Sequence, residues 1–125
     1  MSLVGFHADF KNVCDYPVQI SVPRYGDVSK PLDRFIAVGE TVRVLNDVCR
    51  GSRTPFTIDA FVSPINELHR GCLPYDYLFE ISANEKRISL DKEKFLEILK
   101  RSEIETQGKS TQYMWTISDP SLCPK

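Results

Sequence analysis

The chain has 125 residues, 42% of them hydrophobic and 26% charged, which is the composition of a folded globular domain and not of a disordered or collagen-like chain. Sixteen Lys and Arg stand against seventeen Asp and Glu, so neither nucleic acid nor an anionic membrane is an expected partner. No apolar run approaches the roughly 20 residues that span a bilayer. Met1 to Phe6 carry no basic region or long apolar core, so no signal peptide is expected, and length and composition predict one domain, 1–125.

Apolar residues recur at every second position in several segments, the period of a strand with one buried face. Val4, Phe6, Ala8 and Phe10 alternate with Gly5, His7 and Asp9. Val18, Ile20 and Val22 follow, between Pro17 and Pro23, and the prolines predict a short edge strand. Residues 23–33 hold two prolines, a glycine and several charges and are expected to form a surface loop. Gly39-Glu40 reads as a turn before the strand of Val42 and Val44, and Phe56, Ile58, Ala60 and Val62 mark a further strand. Ser63-Pro64 would start a short helical turn ending near Gly71. Tyr77, Phe79 and Ile81 form the next strand, Ala83-Asn84-Glu85 a polar turn, and Ile88 and Leu90 another extended piece.

From 91 to about 101 the period changes to that of a helix. Asp91 is placed to cap the first turn, and Leu90 and Phe95 occupy the two positions of a hydrophobic staple. Phe95, Ile98 and Leu99 form one apolar face, with Glu97 and Arg101 spaced i,i+4 on the wet side. The polar stretch 102–110 reads as a loop, and Tyr113, Trp115 and Ile117 as the last strand. The expected fold is mainly β: an antiparallel β-sandwich or partly open barrel of seven to eight strands with one short late helix.

Residues with chemical potential are scattered. Cys14, Cys49, Cys72 and Cys123 contain no Cys-x-x-Cys pair. An even count allows two disulfides in three connectivities, but without a visible leader four reduced thiols in an intracellular protein are the favoured expectation over a secreted, oxidised chain. His69 and Cys72 are three apart, yet zinc wants four ligands, so no metal site is expected. Neither His7 nor His69 sits in a nucleophile motif, and no Gly-rich phosphate loop occurs. Asp59 would need Asp47 or Glu80 beside it for acid–base work, and solvent-facing strand carboxylates are the commoner arrangement. No catalytic residue and no cofactor are expected.

Arg50-Gly51-Ser52-Arg53 is a basic turn in which Arg50 and Arg53 could grip an anion, although a solvated turn is the commoner role. Tyr75-Asp76-Tyr77-Leu78-Phe79 is apolar on both strand faces, so both must be covered, by the helix or by another protein. If Tyr77 and Phe79 fill the core, Leu78 faces outward, and Phe61 adds an aromatic ring if its strand lies nearby. Phe61, Leu78, Tyr75, Arg50 and Arg53 are therefore the expected partner-binding residues.

Asn12, then Pro17-Val18-Gln19-Ile20, then Gly39-Glu40-Thr41-Val42-Arg43, then Arg50-Gly51 and an aromatic strand, together resemble the first half of the β-domain of the von Hippel-Lindau tumour suppressor family. The resemblance implies a β-sandwich that recognises a hydroxyproline-bearing peptide and presents it to a ubiquitin ligase. Cys49 stands where that family has the tyrosine before Arg-Gly, and Phe56-Thr57-Ile58-Asp59 where it has Trp-Leu-Phe-Arg-Asp, so the resemblance transfers no pocket residues. The sequence reading is a non-enzymatic protein-interaction domain that binds a peptide or another protein, an adaptor in a larger complex. Its alternative is a small secreted, disulfide-stabilised binding or effector protein.

Overall fold

The computed structural model describes residues 3–25, 30–50, 77–106 and 112–125, with side-chain surroundings defined for most of these. They form eight strands: β1 (Leu3–Lys11), β2 (Val18–Tyr25), β3 (Lys30–Ile36), β4 (Thr41–Arg50), β5 (Leu78–Ala83), β6 (Lys86–Asp91), β7 (Glu103–Thr106) and β8 (Gln112–Ile117). A single α-helix among the described residues, α1 (Lys92–Arg101), separates β6 from β7, and a 3-10 turn, Pro120–Leu122, follows β8. The strands make two four-stranded sheets, ordered β4-β1-β8-β7 and β3-β2-β5-β6, and neither closes on itself. The mainly β sandwich with a late helix is the expected architecture. The wholly antiparallel arrangement needs correction, because β1 and β8 pair in parallel. The segments expected at 56–62 and 63–71 lie outside the described residues.

One core fills the space between the sheets. Ala8 and Phe10 of β1, Val18, Ile20 and Val22 of β2, Val44 of β4, Phe79 and Ile81 of β5, and Trp115 and Ile117 of β8 are all essentially inaccessible to solvent. Phe10 and Phe79 meet edge to face across the sheets at 5.4 Å, a geometry that adds about 0.5–1.5 kcal/mol beyond area burial. The Tyr77 hydroxyl, buried just before β5, donates to the Val44 carbonyl of the other sheet at 2.8 Å. A second tie between the sheets thus satisfies a polar group that would otherwise be costly to bury.

The helix forms as its sequence dictates. Asp91 has extended backbone and its carboxylate accepts the Lys94 N–H at 2.9 Å. Leu90 and Phe95 are both buried in the common core. Phe95, Ile98 and Leu99 point inward, joined by Leu96, and Phe95 packs on Tyr77 (4.6 Å) and Phe79 (6.2 Å). The wet face differs from the expected i,i+4 pair: Glu97 pairs with Lys100, and Arg101 with Asp119 beyond β8.

Three further expectations are corrected. β2 is not an edge strand; it lies between β3 and β5, and Pro23 is tolerated because it falls within the register shift between Val22 and Tyr25, where no regular ladder bond is needed. The loop expected at 23–33 ends in strand β3, whose Pro31 is accommodated because β3 pairs on one side only among the described residues. The loop expected at 102–110 contains β7, four residues paired to β8 in a short edge strand whose sequence carries too little apolar periodicity to stand out. The polar turn after β5 is as expected. Asn84 and Glu85 both have positive φ, 53° and 64°, the requirement of a two-residue type I′ hairpin.

The end of the sandwich at which β1 runs into β2 is organised by Asn12, the one buried polar residue among those described. Its backbone exchanges bonds with the β3–β4 turn: Asn12 N–H to Glu40 O (2.9 Å), and Gly39 N–H to Asn12 O (2.8 Å). Gly39 has φ +82°, a conformation an L side chain would strain. The Asn12 side-chain amide donates toward the carbonyls of Tyr16, Ile36 and Ala37, and its carbonyl accepts the Cys14 N–H. Beside it, Cys14 is disulfide-bonded to Cys123, 109 residues on in sequence. In the chain-entropy treatment a loop of that size stabilises the fold by about 4–5 kcal/mol. The expectation of four reduced thiols is corrected for this pair; Cys72 and the Cys49 side chain lie outside the described residues.

Two stability predictions arise. Asp91→Ala should cost about 0.5–2 kcal/mol through loss of the cap, and Phe95→Ala about 3–5 kcal/mol through lost burial plus a cavity. Urea melts giving equal, negligible effects would mean that α1 is not packed on the core. Asn12→Ala should cost about 2–4 kcal/mol, because a buried N–H and several carbonyls lose their partner. Asn12→Asp should cost at least as much at neutral pH, since a carboxylate oxygen replaces the donor facing three carbonyls. That environment raises the introduced carboxyl's folded-state pKa, so its deficit relative to the wild type should shrink as pH falls through that value. Melts across pH 3–7 read this directly.

Candidate functional site

Successive residues of a strand face opposite sides of a sheet, so the register of β3-β2-β5-β6 defines the outer surface row by row. Phe35 stands opposite Gln19, Gln19 opposite Ser82, and Ser82 opposite Arg87. The next outward row runs Asp33, Ser21, Glu80 and Ser89. The second row is bonded internally where Ser89 donates to Glu80 at 2.9 Å, and it is tied to the first where Arg87 approaches Glu80 at 3.5 Å and Gln19 donates to Asp33 at 3.0 Å. The face has the polar character of a wetted antiparallel sheet.

Phe35 is the exception. Its side chain is 72% exposed, the most open of the large apolar residues described, and only Val38 and Val13 join it in that group. Phe35, Gln19 and Ser82 line a shallow groove of about 380 Å³ whose far wall is the β5–β6 hairpin, including Glu85, Lys86 and Arg87. Phe35 is held outward from both ends of its strand. Ile36 beside it is buried in the core, and the carbonyls of Ile36 and Ala37 accept from the Asn12 amide. Arg34 bonds Glu40 at 2.6 Å, and the same carboxylate accepts the Ala37 N–H at 2.9 Å. The Phe35 backbone is therefore fixed without any contact that would bury its ring.

The expected partner-binding residues are only partly placed. Leu78 begins β5 opposite Asp91; it is half-buried and faces away from the core that Tyr77 and Phe79 fill. Arg50 ends β4, its backbone paired with Leu3. Phe61, Tyr75 and Arg53 lie outside the described residues, as do His69, Cys72 and Asp59. Phe35 was missed, though a signal existed: Phe35 and Ile36 are adjacent apolar residues, and in an extended segment one of two neighbours must face outward.

Two other places gather polar side chains. On the outer face of β1, Asp9 pairs with Arg43 at 3.0 Å, while the Nδ1 of His7 is buried without a hydrogen-bond partner among the described residues, so no base–nucleophile pair is assembled there. Between the end of α1 and the segment after β8, Arg101, Ser102, Thr116 and Asp119 line a cavity of about 300 Å³. Asp119 caps the 3-10 turn through the Ser121 N–H. Hydrogen bonding to Ser121, and secondarily the Arg101 charge, hold its carboxyl below the ordinary value. Because the folded-state pKa is lowered, this cap contributes stability at neutral pH that is lost as pH falls through the lowered value. No cluster of three or more metal-ligating side chains occurs among the described residues, and no helix among them is long and apolar enough to cross a membrane.

Comparison of the chain with protein-family models, with curated proteins and with solved structures finds no match.

Proposed function

We propose that the chain is a non-enzymatic protein-interaction domain whose groove beside Phe35 takes an extended peptide segment of a partner protein. The observation that carries this reading is the 72% exposure of Phe35 on a backbone held rigid at both sides. A preorganised aromatic ring in an otherwise polar surface is the usual form of an interface anchor. Lys86 and Arg87 outnumber Glu85 on the hairpin wall, so a carboxylate on the partner complements that side. Phe35 and Arg87 stand at opposite ends of one four-strand row, about three strand spacings or roughly 14 Å apart. An extended chain advances about 3.3 Å per residue, so the preferred peptide carries an apolar side chain and an acidic one about four residues apart.

Strand addition along β3 is the simpler mode in principle. Pro31, Asp33 and Arg34, all exposed on that strand, favour docking across the face, because proline lacks a ladder N–H and charges discourage edge pairing. An adaptor role in a larger assembly and the resemblance in Asn12, Pro17 to Ile20 and Gly39 to Arg43 belong to this proposal. A second reading is favoured by one observation: the Cys14–Cys123 disulfide suits an oxidising compartment, and hence a secreted, disulfide-stabilised binding protein using the same groove.

Selection from a displayed library of extended peptides tests the proposal. Enriched sequences should pair an apolar with an acidic residue at that spacing. Phe35→Ser should weaken their binding by at least tenfold while leaving the melting temperature nearly unchanged, and Arg87→Glu should reverse the charge preference. A library that yields no enriched peptide, or binding indifferent to Phe35→Ser, overturns it.

A further inference from the structure

We propose that the Cys14–Cys123 disulfide is a redox-operated latch: its reduction by a dithiol frees segment 118–125 from the end of the sandwich and uncovers apolar surface there, while the two sheets stay folded. Among the described residues the segment is attached at few points. Leu122 and Pro124 are its buried residues, the Tyr16 hydroxyl donates to the Pro124 carbonyl, and Asp119 reaches Arg101 at 3.6 Å. Inside the segment the bonds described belong to the short turn: Leu122 N–H to Asp119 O and Cys123 N–H to Pro120 O, both at 3.1 Å, and Ser121 N–H to the Asp119 carboxylate at 2.9 Å. Among the described residues no strand pairs with it, and β8, the last strand of its sheet in sequence, ends at Ile117.

Several ties within and between the sheets lie outside it. The Phe10–Phe79 contact, the Tyr77–Val44 bond and the packing of Phe95 on Tyr77 and Phe79 involve no residue of 118–125. A unit with few buried contacts of its own opens at lower free energy than the sheets on which it rests. Releasing it would expose Leu122 together with the seat near Cys14, which is 4% accessible, and the half-buried ring of Tyr16.

The chemistry favours attack from one side. Cys123 is half-buried while Cys14 is nearly inaccessible, so the incoming thiolate meets Cys123 Sγ first. That bond forms as the Sγ–Sγ bond breaks, and Cys14 leaves as a thiolate that takes a proton. The second thiol of the dithiol then attacks the mixed disulfide, releasing Cys123 as a thiol and the reagent as its own disulfide. Two electrons pass from the dithiol to the protein.

Graded treatment of the whole chain with dithiothreitol, followed by hydrogen exchange read by mass spectrometry and alkylation mapped to each cysteine, tests the latch. Modification of Cys14 and Cys123 should coincide with at least a tenfold faster exchange of the amides of Leu122 and Cys123. Over the same range β2 and β5 should keep their protection. Cys14→Ser combined with Cys123→Ser should show the fast segment at the outset and no further response to dithiol, which separates this pair from Cys49 and Cys72. Sheets that lose protection together with the segment would make the bond a structural staple, and a segment whose exchange ignores reduction would show that the bond does not hold it; either result overturns the latch. Peptide binding at Phe35 is not among the readouts, so failure of the groove proposal leaves this test intact.

Discussion

Everything at one end of the molecule depends on the burial of Asn12. A primary amide in a core is costly unless its donors and acceptor are all engaged, and here they are met by the loop just after it, at Cys14 and Tyr16, and by the end of β3, at Ile36 and Ala37. The backbone of Asn12 extends the pairing of β1 with β4 by one further step, into the turn at Glu40 and Gly39. Its side chain leaves that sheet and reaches the end of β3 in the other. No apolar residue could do this, since the groups to be joined are carbonyls and an amide N–H left over where strands of both sheets stop. The corner therefore fixes the relation between the sheets at their loop end, while Tyr77 and the Phe10–Phe79 pair do so within the core.

That corner explains why an aromatic ring can remain exposed without loosening its strand. Ile36 buries on the core side, the Asn12 amide takes up the carbonyls that follow, and Glu40 serves Arg34 and Ala37 at once. Exposure of Phe35 follows from alternation, since a strand that buries Ile36 must turn its neighbour out. The disulfide acts on the same corner from the other side, because Cys14 gives its N–H to Asn12 and its sulfur to Cys123. Polar network and covalent link thus divide the work: the first orders the turns locally, the second removes entropy from the unfolded chain.

What the sequence disclosed follows from how local the causes were. Period-two alternation located β1, β2, β4, β5, β6 and β8, because each buries one face in a common core. The helix was legible almost to the residue, since its cap, staple and apolar face all lie within eleven consecutive positions. β7 and the first four residues of β3 were read as loops because both strands are edges among the described residues, with apolar content diluted by proline and charge, and pairing with β8 and β2 makes them strands. Arg101 was given the wrong partner for a related reason: local spacing pointed to Glu97, while the fold supplied Asp119 from beyond β8. The expected site was the least legible feature. Of its residues only Leu78 has its side chain described, and Phe35 emerged only once β3 was known to be a strand.

The character of β3 also bears on how the partner of the proposed interaction would approach. An open, regular edge invites any extended chain, and proteins blunt such edges with proline and charge. β3 carries Pro31, Asp33 and Arg34, which discourage pairing along its length. The end of the same strand is nonetheless bonded to the Asn12 corner, and its exposed ring points to the sheet face and not along the edge. Edge protection and ring presentation are thus separated by direction: the hydrogen-bonding rim is made unattractive while the perpendicular face is left accessible. A partner obliged to use the face must match a fixed row of side chains, Phe35, Gln19, Ser82 and Arg87, whose spacing is set by the strands themselves. Selectivity on such a surface comes from complementary side chains at fixed separations, whereas edge pairing would draw its affinity from backbone groups that every polypeptide possesses.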